Sequence, residues 1–133
     1  MRDDQDIIIT TTDFERLQSV LDGHDTPAAE LLDLELRRAR LVAPRQVPAD
    51  VVTMNSEVVY EDCSTSAKRK VRVVYPKDAD ADLGRVSVLA PIGTALLGLR
   101  VGQSITWRVP NGTKRIRVLE ICYQPEASGD APR

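Results

Sequence analysis

Six residues, Ala43-Pro44-Arg45-Gln46-Val47-Pro48, constrain this 133-residue chain more than any other stretch. Proline fixes φ and lacks a backbone N–H, so two prolines this close end any regular element that reaches them. The hydrophobic pattern changes at the same place. Before it, apolar residues recur every three or four positions, and after it valine-rich segments alternate with polar ones. The charge changes as well: residues 1–48 hold six basic and ten acidic side chains, whereas residues 49–133 hold twelve and ten. We read a linker over 43–49, between a helical part, 1–48, and a strand-rich part, 49–133.

In the helical part, Ile7-Ile8-Ile9 reads as an edge strand or an extended arm. Thr11 or Thr12 then caps a helix of about ten residues, with Glu15 completing a capping box and Phe14, Leu17 and Leu21 on one face. Asp22-Gly23-His24-Asp25 turns the chain, and Thr26-Pro27 opens a second helix of about sixteen residues. Its acidic residues come early (Glu30, Asp33, Glu35) and its arginines late (Arg37, Arg38, Arg40), which suits the helix dipole. Neither apolar stripe survives in water alone, so the two helices pair as an antiparallel hairpin with arms of about 15 and 24 Å.

In the second part, 51–54, 57–60, 69–75, 86–89, 104–109 and 114–123 read as strands. The polar stretch 61–68 reads as a mobile loop and 77–82 as an acidic turn. Ala90 to Gly98 reads as a short helix, Pro110-Asn111-Gly112 as a hairpin turn, and 124–133 as a tail that frays. The fold class is therefore α+β, with a short antiparallel helical hairpin followed by an antiparallel sheet curled over one short helix.

Composition excludes several kinds of chemistry. With 18 basic and 20 acidic residues, the chain lacks the broad positive field of a dedicated nucleic-acid binder, and no stable direct DNA binding is expected. One histidine, His24, and two distant cysteines, Cys63 and Cys122, supply neither a catalytic dyad nor a set of zinc ligands. Two cysteines also make no disulfide scaffold, which points to the cytoplasm, and no apolar run is long enough for a membrane span. Asp78, Asp80 and Asp82 alternate like a calcium loop but lack its glycine and closing glutamate. Gly93 and Gly98 do not follow the pattern of a phosphate-binding loop. No catalytic residue, cofactor site or metal site is assigned. The basic residues of 69–72 and 114–117 read as a solvated strand face, and the acidic turn at Asp22, His24 and Asp25 as an exposed hairpin tip.

The stretch 84–102, centred on Leu89-Ala90-Pro91-Ile92-Gly93-Thr94-Ala95-Leu96-Leu97-Gly98, resembles the C-terminal domain of the bacterial Gre transcription elongation factors. The resemblance continues through Trp107-Arg108-Val109-Pro110-Asn111-Gly112 and Val118-Leu119-Glu120-Ile121. A closer resemblance is to the Rnk family, the regulators of nucleoside diphosphate kinase. It rests on Asp50-Val51-Val52-Thr53-Met54-Asn55-Ser56, Val74-Tyr75-Pro76 and the tail from Tyr123 to Asp130.

The Gre resemblance implies an FKBP-like C-terminal fold and a protein that binds RNA polymerase. Gre factors insert a long coiled coil into the polymerase secondary channel, where acidic tip residues help hold catalytic magnesium for cleavage of backtracked RNA. Rnk-like proteins share the docking domain but have a truncated hairpin, which implies competition with Gre factors at the channel rim without cleavage. On that resemblance the docking residues expected here are Pro91, Ile92, Gly93, Leu97, Gly98, Arg100, Gly102, Asn111 and Gly112. Two other readings accompany it: a general protein-interaction module, and an FKBP-like peptidyl-prolyl isomerase.

Overall fold

Residues 7–109 and 112–129 are described in the structure, a computed structural model. Pro110 and Asn111 of the expected hairpin turn, and the side chain of Trp107, lie outside the described residues.

The first part runs β1 (Ile8–Thr10), α1 (Thr11–Asp22), α2 (Pro27–Arg38) and β2 (Arg40–Val42). Thr10, not Thr11 or Thr12, caps α1: it is extended, and its Oγ1 accepts the Asp13 N–H at 3.1 Å. Thr26 caps α2 in the same way through the Ala29 N–H, with Pro27 at the first helical position. The second helix is twelve residues long, shorter than its apolar periodicity predicts. The isoleucine run at the N-terminus needs a backbone partner, and the segment after α2 supplies it. Arg40–Val42 pairs in parallel with Ile8–Thr10, and the Arg40 N–H donates to the Ile7 carbonyl at 2.9 Å.

The second part adds β3 (Glu57–Asp62), β4 (Ala67–Val74), β5 (Arg85–Ser87), α3 (Pro91–Leu96), β6 (Ser104–Val109), β7 (Gly112–Tyr123) and α4 (Pro125–Ser128). The sheet order is β5-β4-β3-β7-β6. All its pairings are antiparallel except β4–β5, which is parallel, so the sheet is mixed where alternation alone suggests an antiparallel one. The acidic turn accounts for the difference. It folds into two 3₁₀ turns, Pro76–Asp78 and Ala81–Leu83, that carry the chain back to the start of β5.

Three other expectations change. Residues 51–54 form no strand; Val51 makes a single bridge to Arg100, and Val52 bonds to the backbone of Gly98 and Leu99. The stretch 61–68 is the end of a hairpin, not a loop. The Asp62 carbonyl accepts the Ser66 N–H, and its carboxylate accepts from the Ser64 amide and hydroxyl, which hold it below the usual range. The tail is tied down as far as α4. Gln124 is buried, and its Nε2 donates to the carbonyls of Pro48 and Val51, both at 2.8 Å.

Alternation puts Val58 and Tyr60, Val71 and Val73, and Ile116 and Val118 on one face of the sheet. That face shares one buried cluster with Ile7, Ile9, Leu17, Leu32 and Leu36 of the helical part and with Leu96, Leu97 and Leu99 around α3. The core therefore runs continuously across the proline-rich linker. No helix among the described residues is long and apolar enough to cross a membrane.

Candidate functional site

The tip of the hairpin is built by capping. Gly23 closes α1 with its N–H on the carbonyls of Val20 and Leu21, and the His24 N–H donates to Leu21. The His24 ring folds back as well, with Nδ1 2.8 Å from the Val20 carbonyl oxygen. A carbonyl oxygen can only accept, so Nδ1 carries the proton. Asp22, His24 and Asp25 are all exposed at this turn. Among the described residues, no three histidine, cysteine or acidic side chains are grouped to hold a metal ion, and Cys63 and Cys122 are unpaired.

The segment from α3 to Gly102 divides into interior and surface. Gly93 allows close approach: a Cβ there would stand 2.1 Å from the Ser87 carbonyl oxygen and 2.9 Å from Val88 Cα. Thr94 locks the same contact by donating its hydroxyl to the Val88 carbonyl at 2.6 Å. Gly98, at φ +85, fits under Ile7; its N–H donates to Val52 and its carbonyl accepts from Ile8. Leu97 is 1% exposed. Burial thus removes Gly93, Leu97 and Gly98 from any contact surface, because their positions are dictated by packing. Pro91, Arg100 and Gly102 are exposed, Ile92 is half-buried, and the neighbouring Val101 is 40% exposed. Arg100 is held by Asp50, with Nε 3.5 Å from Oδ2. Gly112 is also exposed, but it lies beyond the far end of β6, about 20 Å from Gly102 at strand spacing. The expected docking residues therefore form two separate patches, and Asn111 lies outside the described residues.

Beneath the hairpin is a polar junction that periodicity does not reveal. Asp13 is 2% exposed and accepts the Met54 N–H at 3.1 Å. Burial, opposed by that hydrogen bond and reinforced by the Glu126 charge, pushes its carboxyl from an ordinary 3.8 up to about 6. Thr53 Oγ1 donates to Glu126 Oε1 at 2.7 Å, which ties α4 to the same loop. The Tyr75 hydroxyl is buried with no hydrogen bond of ordinary length, and its acidity is suppressed by burial and then by Asp13, with Arg16 opposing. In the sequence, Asp13 is indistinguishable from an acidic residue placed to favour a helix N-terminus.

Residues 5–42 match the family described as "Rnk N-terminus", and residues 47–123 match "Transcription elongation factor, GreA/GreB, C-term". The protein named "Regulator of nucleoside diphosphate kinase" from Escherichia coli K12 is 44% identical over 93% of this chain and 94% of its own length. The chain belongs to the Rnk family. This Rnk chain shares its sheet domain, residues 47–123, with the GreA/GreB factors. A "Transcription elongation factor GreA" from Chlorobium phaeobacteroides DSM 266 is 35% identical over 70% of this chain, but over only 60% of its own length. The solved structure of a prokaryotic transcription elongation factor GreA/GreB from Nitrosomonas europaea superimposes with a TM-score of 0.74 at 41% identity. It covers 90% of this Rnk chain and 99% of that one, so the mixed-sheet α+β fold with its N-terminal helices is the Rnk and GreA/GreB arrangement. Its relatives bear the names of a regulator and of transcription elongation factors.

Proposed function

We propose that this Rnk-family chain binds RNA polymerase in the bacterial cytoplasm, docks at the rim of the secondary channel and competes there with Gre factors without stimulating transcript cleavage. Arm length is the observation that carries this reading. α1 and α2 have twelve residues each, so each arm is about 18 Å long. Gre arms must cross the channel to act, and carboxylates stabilise a metal only within direct or water-mediated reach of it. Asp22 and Asp25 occupy the tip of a hairpin too short for that task. The sheet domain supplies the docking face. Pro91, Ile92, Arg100 and Gly102 form its first patch, and Gly112 marks its second.

The test is a cleavage assay on backtracked polymerase complexes with added Gre factor. Increasing amounts of this protein should suppress Gre-stimulated cleavage and produce none alone. The double variant D22A/D25A should suppress it within about twofold of the parent, since the tip does not reach the metal. R100E should weaken suppression about tenfold, as reversal of a rim charge affects association while its exposed pair with Asp50 contributes little to folding. Failure to retain polymerase at micromolar concentration, or cleavage stimulated by this protein alone, counts against the proposal.

A further inference from the structure

We propose that the cleft between α1 and the turn after β4 binds a small phosphorylated ligand of mononucleotide size. This inference is independent of polymerase docking. The cleft measures about 690 Å³, within the roughly 300–1,000 Å³ common for sites of small organic molecules. Arg16 and Val20 of α1 form one wall, His24 of the tip closes one end, and Tyr75, Pro76 and Lys77 form the opposite wall.

The charge of the lining is one-sided. Three of its side chains are cationic or become so on protonation, they come from three different elements, and among the described residues no carboxylate lines the cleft. Lys77 is exposed and makes no ion pair among the described residues. His24 spends its Nδ1 proton on Val20, so Nε2 is the nitrogen left for a ligand. Arg16 lies near both Asp13 and the Tyr75 hydroxyl, and it still presents guanidinium donors in a fork suited to phosphate. The Tyr75 hydroxyl is buried against Arg16, so it backs the guanidinium from within the protein. Val20, Pro76 and the Tyr75 ring add apolar surface against which a planar base can lie. A phosphate alone would leave that surface uncovered, and an uncharged nucleoside would leave the cations without a partner.

The experiment is an amide NMR titration of the full chain with adenosine diphosphate, with adenosine and pyrophosphate as separate arms. Adenosine diphosphate should move the amides of 16–24 and 75–77 and saturate in the low millimolar range or below. Adenosine and pyrophosphate should each bind at least tenfold more weakly. K77E should weaken binding at least tenfold, and K77R should retain it within about threefold; Lys77 is exposed, so both variants fold. The proposal is overturned by an unchanged spectrum at 10 mM nucleotide, by shifts confined to other residues, by equal binding to K77E, or by an acidic peptide that binds the same amides more tightly than the nucleotide.

Discussion

Gly93→Ala is expected to destabilise the protein by about 3 kcal/mol, at the upper end of overpacking penalties. The added methyl would meet the Ser87 carbonyl and Val88 Cα, and both are backbone atoms. A clash with the end of a flexible side chain is relieved by rotation; here β5 or α3 must move, and the Thr94 hydrogen bond to Val88 moves with them. Gly23→Ala is the matched control. Its nearest atom is the Val20 carbonyl oxygen at 3.7 Å and its φ is −95, so that variant should stay within about 0.5 kcal/mol of the parent. Urea unfolding followed by circular dichroism separates the two. If the Gly93 variant comes within 1 kcal/mol of the Gly23 variant, the close packing of α3 against β5 is wrong.

The second large effect depends on pH. The Asp13 carboxyl titrates near 6 in the folded chain and at an ordinary 3.8 once exposed. Between those values the folded state binds more protons than the unfolded one, so this group's contribution to stability is full below 3.8 and is lost as pH rises through about 6. The direction is opposite to that of a carboxylate held in an ion pair. At pH 8 the loss amounts to about 3 kcal/mol, because the charge must be kept in a buried site. Asp13→Asn removes the charge and keeps an oxygen for the Met54 N–H. Its stability relative to the parent should rise by about 1.5 kcal/mol between pH 5 and pH 8, measured by urea unfolding at each pH. Asp13→Ala leaves the Met54 N–H unpaired and should be less stable than the Asn variant at every pH, by about 1–3 kcal/mol. A stability difference between the Asn variant and the parent that does not change with pH would contradict the buried charge.

Local rules carried the sequence reading where neighbours along the chain decide the structure. Thr26-Pro27, the alternation of Val71 and Val73 and the apolar stripe of α2 each declare themselves within a few residues, and the structure follows them. Long-range pairing is different. Arg40–Val42 continues a helical period, yet its backbone partner lies about thirty residues earlier at Ile8–Thr10, and strand pairing overrides propensity. Gln124 begins what composition marks as a fraying tail, but it is buried because it satisfies two carbonyls more than seventy residues away. The candidate docking segment was legible through family likeness to residues 84–102. Which of its residues face solvent was not: Gly93 and Gly98 are chemically suited either to a contact loop or to a tight interior, and only the positions of Ser87 and Ile7 decide between them. The cleft at Arg16, Tyr75 and Lys77 was illegible for the same reason, since nothing in sequence joins positions sixty residues apart.

The parallel pairing of β1 with β2 changes how the hairpin can be regarded mechanically. Both ends of the helical pair are clamped in one ladder, and Gly98 then bonds that ladder to the sheet domain through Ile8 on one side and Val52 on the other. Such an arm is a cantilever set into a wall, with no joint at its root. Its tip cannot gain distance by swinging unless the ladder breaks, so its reach is a fixed dimension, like the gauge of a tool. Reach is then written in residue count: each matched seven-residue block added to both helices would advance the tip by about 10 Å, with the clamp and the docking face left as they are.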